Sequence, residues 1–246
     1  MGNIVPQNQD KQYNRCHCER SEAIYIIFFR LPRRQNGLAM INKMITEVIF
    51  DCETKKLFSD ISTSDPGDLG VSIVSLYIRT VDETQREIEG KLFSFWDSEI
   101  PAMWEHFRKA KRIIGFNSIK FDVPALAREA PKDFKTFPHF DIMKEVRDQL
   151  GFSLGLNHLA THTLGAHKTD VGTNAVIYWN KHDAESLAKL KHYCEADVLL
   201  TKDLYDFGVR EKKLKYVDKW NTLRDIPVDF SYPKEIIEAS RQIGLF

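Results

Sequence analysis

Apolar positions along the chain follow two rhythms, and the switch between them marks out the elements. Residues 44–51 gather Ile45, Val48, Ile49 and Phe50, β-prone side chains in a run of strand length, which predicts a buried strand. A polar loop with glycine and proline follows over residues 60–70. Residues 71–78 then alternate as a second strand, and residues 91–96 supply a third, so an antiparallel meander is expected. From Ser98 or Glu99 the period lengthens, and Met103, Trp104 and Phe107 predict a helix. Residues 112–116 read as a fourth strand. A helix over 121–130 carries Pro124 in its first turn, where a missing N–H is tolerated. A short fifth strand over 138–140 leads to Asp141, placed to cap the next helix. Leu154, Leu156, Leu159 and Leu164 predict a helix over 153–164. Residues 165–181 are rich in Gly, Thr and Asn and predict a loop, either a strand-contacting segment or a plain connector. The longest helical pattern spans 184–206 and is expected to end at Gly208. Residues 214–217 and 226–228 flank a polar turn as a terminal hairpin, and 233–243 fit one amphipathic helix. Strands first, then strand–helix alternation, fits an α/β or α+β class.

Residues 1–43 fit neither period. They mix Cys16, His17 and Cys18 with a brief apolar run (24–29) too short for a membrane span and without a small-residue cleavage site. CHCERSEAI followed by LPRR resembles translated bacterial interspersed repeats, so the expectation is a disordered or misannotated extension, with the true start at Met40 or Met44. The domain then covers 44–209, with 210–246 as a hairpin and tail packed on it. No stretch is long and apolar enough to span a bilayer, and the reading is cytoplasmic, with no membrane partner.

Of 246 residues, 43% are hydrophobic, enough for one sizeable core. Thirty-five basic residues balance 35 acidic ones, which argues against a protein that coats nucleic acid nonspecifically. It leaves room for local basic patches over 109–112 and 210–215 and for carboxylates committed to cations. The four cysteines form no CxxC pair, and Cys52 and Cys194 are expected to pack in the core.

Acidic residues are placed where local geometry would aim them at one point. Asp51 and Glu53 are two apart at the end of the first strand and share a face. Tyr193 and Asp197 are four apart on the long helix and also share a face. Asp122 stands where a new helix begins. Converging carboxylates repel one another and favour hard cations such as Mg²⁺ or Mn²⁺, the equipment for two-metal phosphodiester hydrolysis.

These segments, VIFDCET, GFNSIKFD and HYCEADVLL, resemble the three motifs of the DEDD 3′–5′ exonucleases of the RNase H-like superfamily. The tyrosine four residues before the last aspartate is similar to the tyrosine-bearing subclass, and the chain from about residue 44 to 207 resembles small bacterial relatives of the family-B polymerase proofreading domain. The resemblance implies an α/β fold: an RNase H-like mixed five-stranded sheet flanked by helices, with a C-terminal hairpin. It implies two Mg²⁺ or Mn²⁺ ions held by Asp51, Glu53, Asp122 and Asp197, with Tyr193 orienting the attacking water. Thr54, Asn117 and Phe121 become candidate substrate contacts. Single-stranded DNA or RNA is the implied partner, DNA favoured, with a polymerase or helicase acting in trans if the role is proofreading.

Other patterns weigh less. His139 and Asp141 read as a structural pair beside a helix cap. His158 and His162 are four apart, but Leu159 stands where a zinc-protease helix needs glutamate, so an ordinary helix face is expected there and around His167. Two rivals stay open: a catalytically silent nucleic-acid-binding module, and a phosphodiesterase acting on short oligonucleotides.

Overall fold

Alternation along one strand decides how the layers stack. In the computed structural model, which describes residues 44–166, 173–234 and 236, β1 (Ile45–Thr54) is the centre of a five-stranded sheet ordered β3-β2-β1-β4-β5. The predicted extension over 1–43, the middle of the predicted 165–181 loop (167–172) and most of the predicted tail helix lie outside the described residues. β2 (Val71–Val81) and β3 (Glu87–Trp96) complete an antiparallel meander with β1. β4 (Arg112–Gly115) and β5 (His139–Asp141) add in parallel on the other side. The sheet is therefore mixed, and helices cover both faces.

One face of β1 presents Val48, Phe50 and Cys52 to a core shared with α1 (Ile100–Lys109), which contributes Met103, Trp104 and Phe107. Phe50, Phe107 and Phe134 pack there edge to face, with ring centroids 5.3–6.5 Å apart. The opposite face carries Ile49 into a second core with α3 (Ile142–Leu150), α4 (Leu156–Leu164) and the long α6 (Ala184–Glu211). Asp141 caps α3 by accepting from the Lys144 N–H at 3.2 Å, and Gly151 closes the helix at φ 81°, a left-handed value that costs glycine little. Asp183 caps α6 through the Ser186 N–H at 2.8 Å.

Several expectations need correction. The helix expected over 121–130 is only α2 (Asp122–Ala125), followed by turns in which Ala127, Glu129 and Ala130 donate to Pro124 and Leu126. Part of the expected 165–181 loop is a helix, α5 (Thr173–Lys181), because Ala175, Tyr178 and Trp179 recur at helical spacing and pack against Leu190, Tyr193 and Cys194 of α6. Arg112, read as part of a surface patch, is buried and donates to the Tyr205 hydroxyl and to the carbonyls of Phe230 and Ser231. α6 does not stop at Gly208 but runs to Glu211, and Lys212 takes the left-handed cap at φ 57°.

Gly208 is needed for close packing instead, because a Cβ there would overlap the Phe230 ring. Phe230 is fully buried, so the ring has little room to retreat. Gly208→Ala is expected to cost about 1–3 kcal/mol, read as a lower denaturant midpoint at unchanged slope. An unchanged midpoint would mean that the contact is relaxed cheaply. The chain past α6 forms the expected hairpin, β6 (Lys213–Val217) and β7 (Leu223–Pro227), seated on α4 and α6 through Leu214 and Ile226.

Candidate active site

The face of β1 that carries Ile49 continues upward to Asp51 and Glu53, and α6 crosses that face. Its residues Tyr193 and Asp197, one turn apart, meet the strand acids at the carboxyl end of the sheet. Ligand oxygens of Asp51, Glu53 and Asp197 all lie within 4.8 Å of one another, the one such group of three among the described residues. Asp197 is buried, while Asp51 and Glu53 are partly open to a cleft of about 300 Å³. All eight residues singled out from the sequence line that cleft: Asp51, Glu53, Thr54, Asn117, Phe121, Asp122, Tyr193 and Asp197.

They do not all stand in the same relation to it. Asp122 lines the cleft but falls outside the tight group of three, and its Oδ1 accepts the Cys52 N–H at 3.0 Å. Burial pushes the Asp122 carboxyl up to about 6, so it holds a proton more readily than an ordinary aspartate does. A cation in the cleft would favour its charged form. Burial raises the Tyr193 hydroxyl well above the ordinary phenol range, and the nearby Asp197, Glu53 and Asp51 push it further. Tyr193 is thus a fixed hydrogen-bond donor and not a base.

The second motif is held open by an acid that sequence reading assigned only a capping role. Asp141 Oδ1 accepts the Asn117 N–H at 2.8 Å, and Oδ2 accepts that of Ile119 at 3.0 Å. These bonds steady Asn117 at φ 62°, a left-handed conformation that asparagine tolerates better than most side chains. Thr54 is turned partly away, since its hydroxyl donates to the Lys56 carbonyl at 2.9 Å. Phe121 meets Phe58 edge to face at 6.2 Å on the cleft wall.

Phe58, Lys56 and Val176 also line the cleft and were not anticipated. Phe58 had a signal, a large aromatic in the polar run KKLFSDIS, and it is exposed. Val176 had none while α5 was read as a loop.

The donor set suits a hard divalent cation. Its atoms are carboxylate oxygens, and the two thiols close by are poor competitors. Burial, chiefly, with Asp122 and Asp51 helping, keeps Cys52 protonated, and burial with Asp51 and Glu53 does the same for Cys194. Cys194 Sγ lies 3.5 Å from the Asp51 carbonyl oxygen, where a thiol proton can be donated. Among the discounted histidines, His139 Nε2 faces the Phe134 carbonyl at 2.9 Å, His158 Nε2 accepts the Val217 N–H at 3.4 Å, and His162 packs its ring edge to face with His158, while His167 lies outside the described residues. No helix among the described residues is long and apolar enough to cross a membrane.

A sequence model of the RNase H superfamily matches residues 48–208, well over half of the chain and the span that holds every residue of the cleft named above. A search of curated proteins finds no match.

Proposed function

We propose, because the chain belongs to the RNase H superfamily, that its nucleic-acid chemistry is the metal-dependent 3′–5′ exonucleolysis of single-stranded ends, DNA in preference to RNA, with the motif set of the tyrosine-bearing DEDD subclass. The observation that carries this reading is the convergence of Asp51, Glu53 and Asp197 within 4.8 Å, with Tyr193 and Asp122 lining the same cleft. Those acids would hold two Mg²⁺ or Mn²⁺ ions, which when bound supply Lewis-acid polarisation of the phosphate and a more acidic water.

The chain's own side chains do the rest. Tyr193, kept as a donor, orients the attacking water or a phosphate oxygen. Asn117, on its Asp141-braced turn, offers an amide to the sugar–phosphate. Phe121 and Phe58 give the terminal base an apolar wall. A cleft of about 300 Å³ is at the small end of ligand pockets, suited to one terminal nucleotide and too small for a duplex.

A 5′-labelled single strand of DNA and a matched RNA, each incubated with Mg²⁺ or Mn²⁺, should give a ladder shortening from the 3′ end, faster for DNA. Excess chelator should stop it and added metal restore it. Internal cuts without end-shortening would replace the exonuclease with an endonuclease, and metal-independent cleavage would remove the acidic centre from the reaction.

A further inference from the structure

A second cleft, about 650 Å³, opens at the tip of the hairpin away from the acidic centre's lining residues. Its wall joins Phe152 and Leu154, from the α3–α4 connection, to Tyr216, Lys219, Trp220 and Arg224 of the hairpin. Large apolar side chains normally avoid water, yet Trp220 is 72% exposed and Phe152 49%. A cluster of exposed aromatics in a concave site marks a binding surface.

Two features say what it binds. Residues 210–225 hold six cations (Arg210, Lys212, Lys213, Lys215, Lys219, Arg224) against three anions (Glu211, Asp218, Asp225), so this short stretch is +3 in a chain of zero net charge. Each anion is already matched within the stretch: Arg210 with Glu211, Lys213 with Asp225, and Arg224 with Asp218. The surplus charge includes Lys219, whose Nζ lies 4.4 Å over the Trp220 ring. Protein interfaces are depleted in lysine, whereas grooves for single strands pair cations with stacking aromatics.

The turn is also prebuilt. Asp218 Oδ1 accepts the N–H groups of Trp220 and Thr222, both at 2.9 Å, its Oδ2 accepts from Arg224 Nε at 2.9 Å, and Asn221 sits at φ 60°. Trp220 is therefore presented by a fixed backbone, which lowers the entropy lost on binding.

We propose that this hairpin cleft is a docking site for single-stranded nucleic acid, in which a base stacks on Trp220 while Lys219 meets the phosphate. The choice of ligand rests on the nuclease reading above. This cleft shares no lining residue with the acidic one, so the base it contacts is a different one from the terminal nucleotide.

The test uses the full chain. Binding of a labelled strand of about twenty nucleotides is followed by anisotropy in chelator, and hydrolysis of that strand and of a trinucleotide is followed with Mg²⁺. Trp220→Ala should weaken binding of the long strand at least about fivefold and leave trinucleotide hydrolysis unchanged, and Trp220→Phe should restore most of the affinity. Lys219→Ala should reduce the salt dependence by about one counterion. A Trp220→Ala protein that hydrolyses both substrates and binds like wild type overturns the docking site and keeps the nuclease. A wild type that hydrolyses nothing, yet binds and loses binding on Trp220→Ala, keeps the docking site and removes the nuclease.

Discussion

Asp51→Asn should lower hydrolysis at least about a thousandfold while making the metal-free protein slightly more stable. The rate loss follows from the position of Asp51, whose ligand oxygen lies within 4.8 Å of those of both Glu53 and Asp197. Removing its charge weakens the hold on cations whose Lewis acidity is worth several kcal/mol, and each 1.36 kcal/mol is a factor of about ten. The stability gain has the opposite sign because three carboxylates held this close repel one another until a cation arrives. Relief of that repulsion should raise the melting temperature in chelator by about 2 °C, within the range of single stabilising changes. In Mg²⁺ the order should close or reverse, since only the wild type gains much from ligand binding. Asparagine keeps the side-chain shape, and the Cys194 thiol still reaches the unchanged Asp51 carbonyl. Single-turnover rates and melting scans with and without Mg²⁺ read both effects. Full activity in the variant would move the reaction away from this cleft; lower stability in chelator would show that Asp51 holds the fold together and not the cation.

That opposition of signs separates what the sequence makes visible from what it hides. Asp51 with Glu53 and Tyr193 with Asp197 were legible because each pair obeys a local period, two on a strand and four on a helix, and a local period needs no knowledge of the partner element. The order of strands and helices was legible for the same reason. α5 was not. Gly, Thr and Asn around it dominate the composition, and the segment becomes helical because α6 offers a surface on which Ala175, Tyr178 and Trp179 pack. Gly208 was misread as a stop signal because its constraint is the Phe230 ring, 22 residues further along. Asp141 showed its cap but not its grip on Asn117 and Ile119, since those N–H groups come from a turn more than 20 residues upstream.

The same limit applies to the largest stability effect expected in the molecule. Glu47→Ala should cost about 3–5 kcal/mol and lower the melting temperature by roughly 10 °C or more. Glu47 lies on the face of β1 that bears Asp51 and Glu53, but the strand register sets it opposite Arg79, whereas Asp51 faces Ser75 and Glu53 faces Ile73. Glu47 is fully buried and accepts Arg79 Nε at 2.8 Å, the Tyr205 hydroxyl at 3.1 Å and the Tyr232 hydroxyl. Arg79 in turn donates to Asp206 at 2.6 Å, so the cluster ties β1, β2, α6 and the segment after β7 together. Alanine at 47 would leave the Arg79 guanidinium buried without its best counter-charge, which burial makes expensive. Glu47→Leu combined with Arg79→Met replaces the charge pair with apolar volume and should lose less than the sum of the single changes, a coupling of at least about 1 kcal/mol. Because Glu47 and Asp51 are four strand residues apart, about 13 Å, activity below the melting transition should survive both changes. Denaturant midpoints of the four proteins give the coupling. Strict additivity would reduce the cluster to independent contacts, and lost activity in the still-folded double variant would mean that this end of β1 also positions the acids at the other.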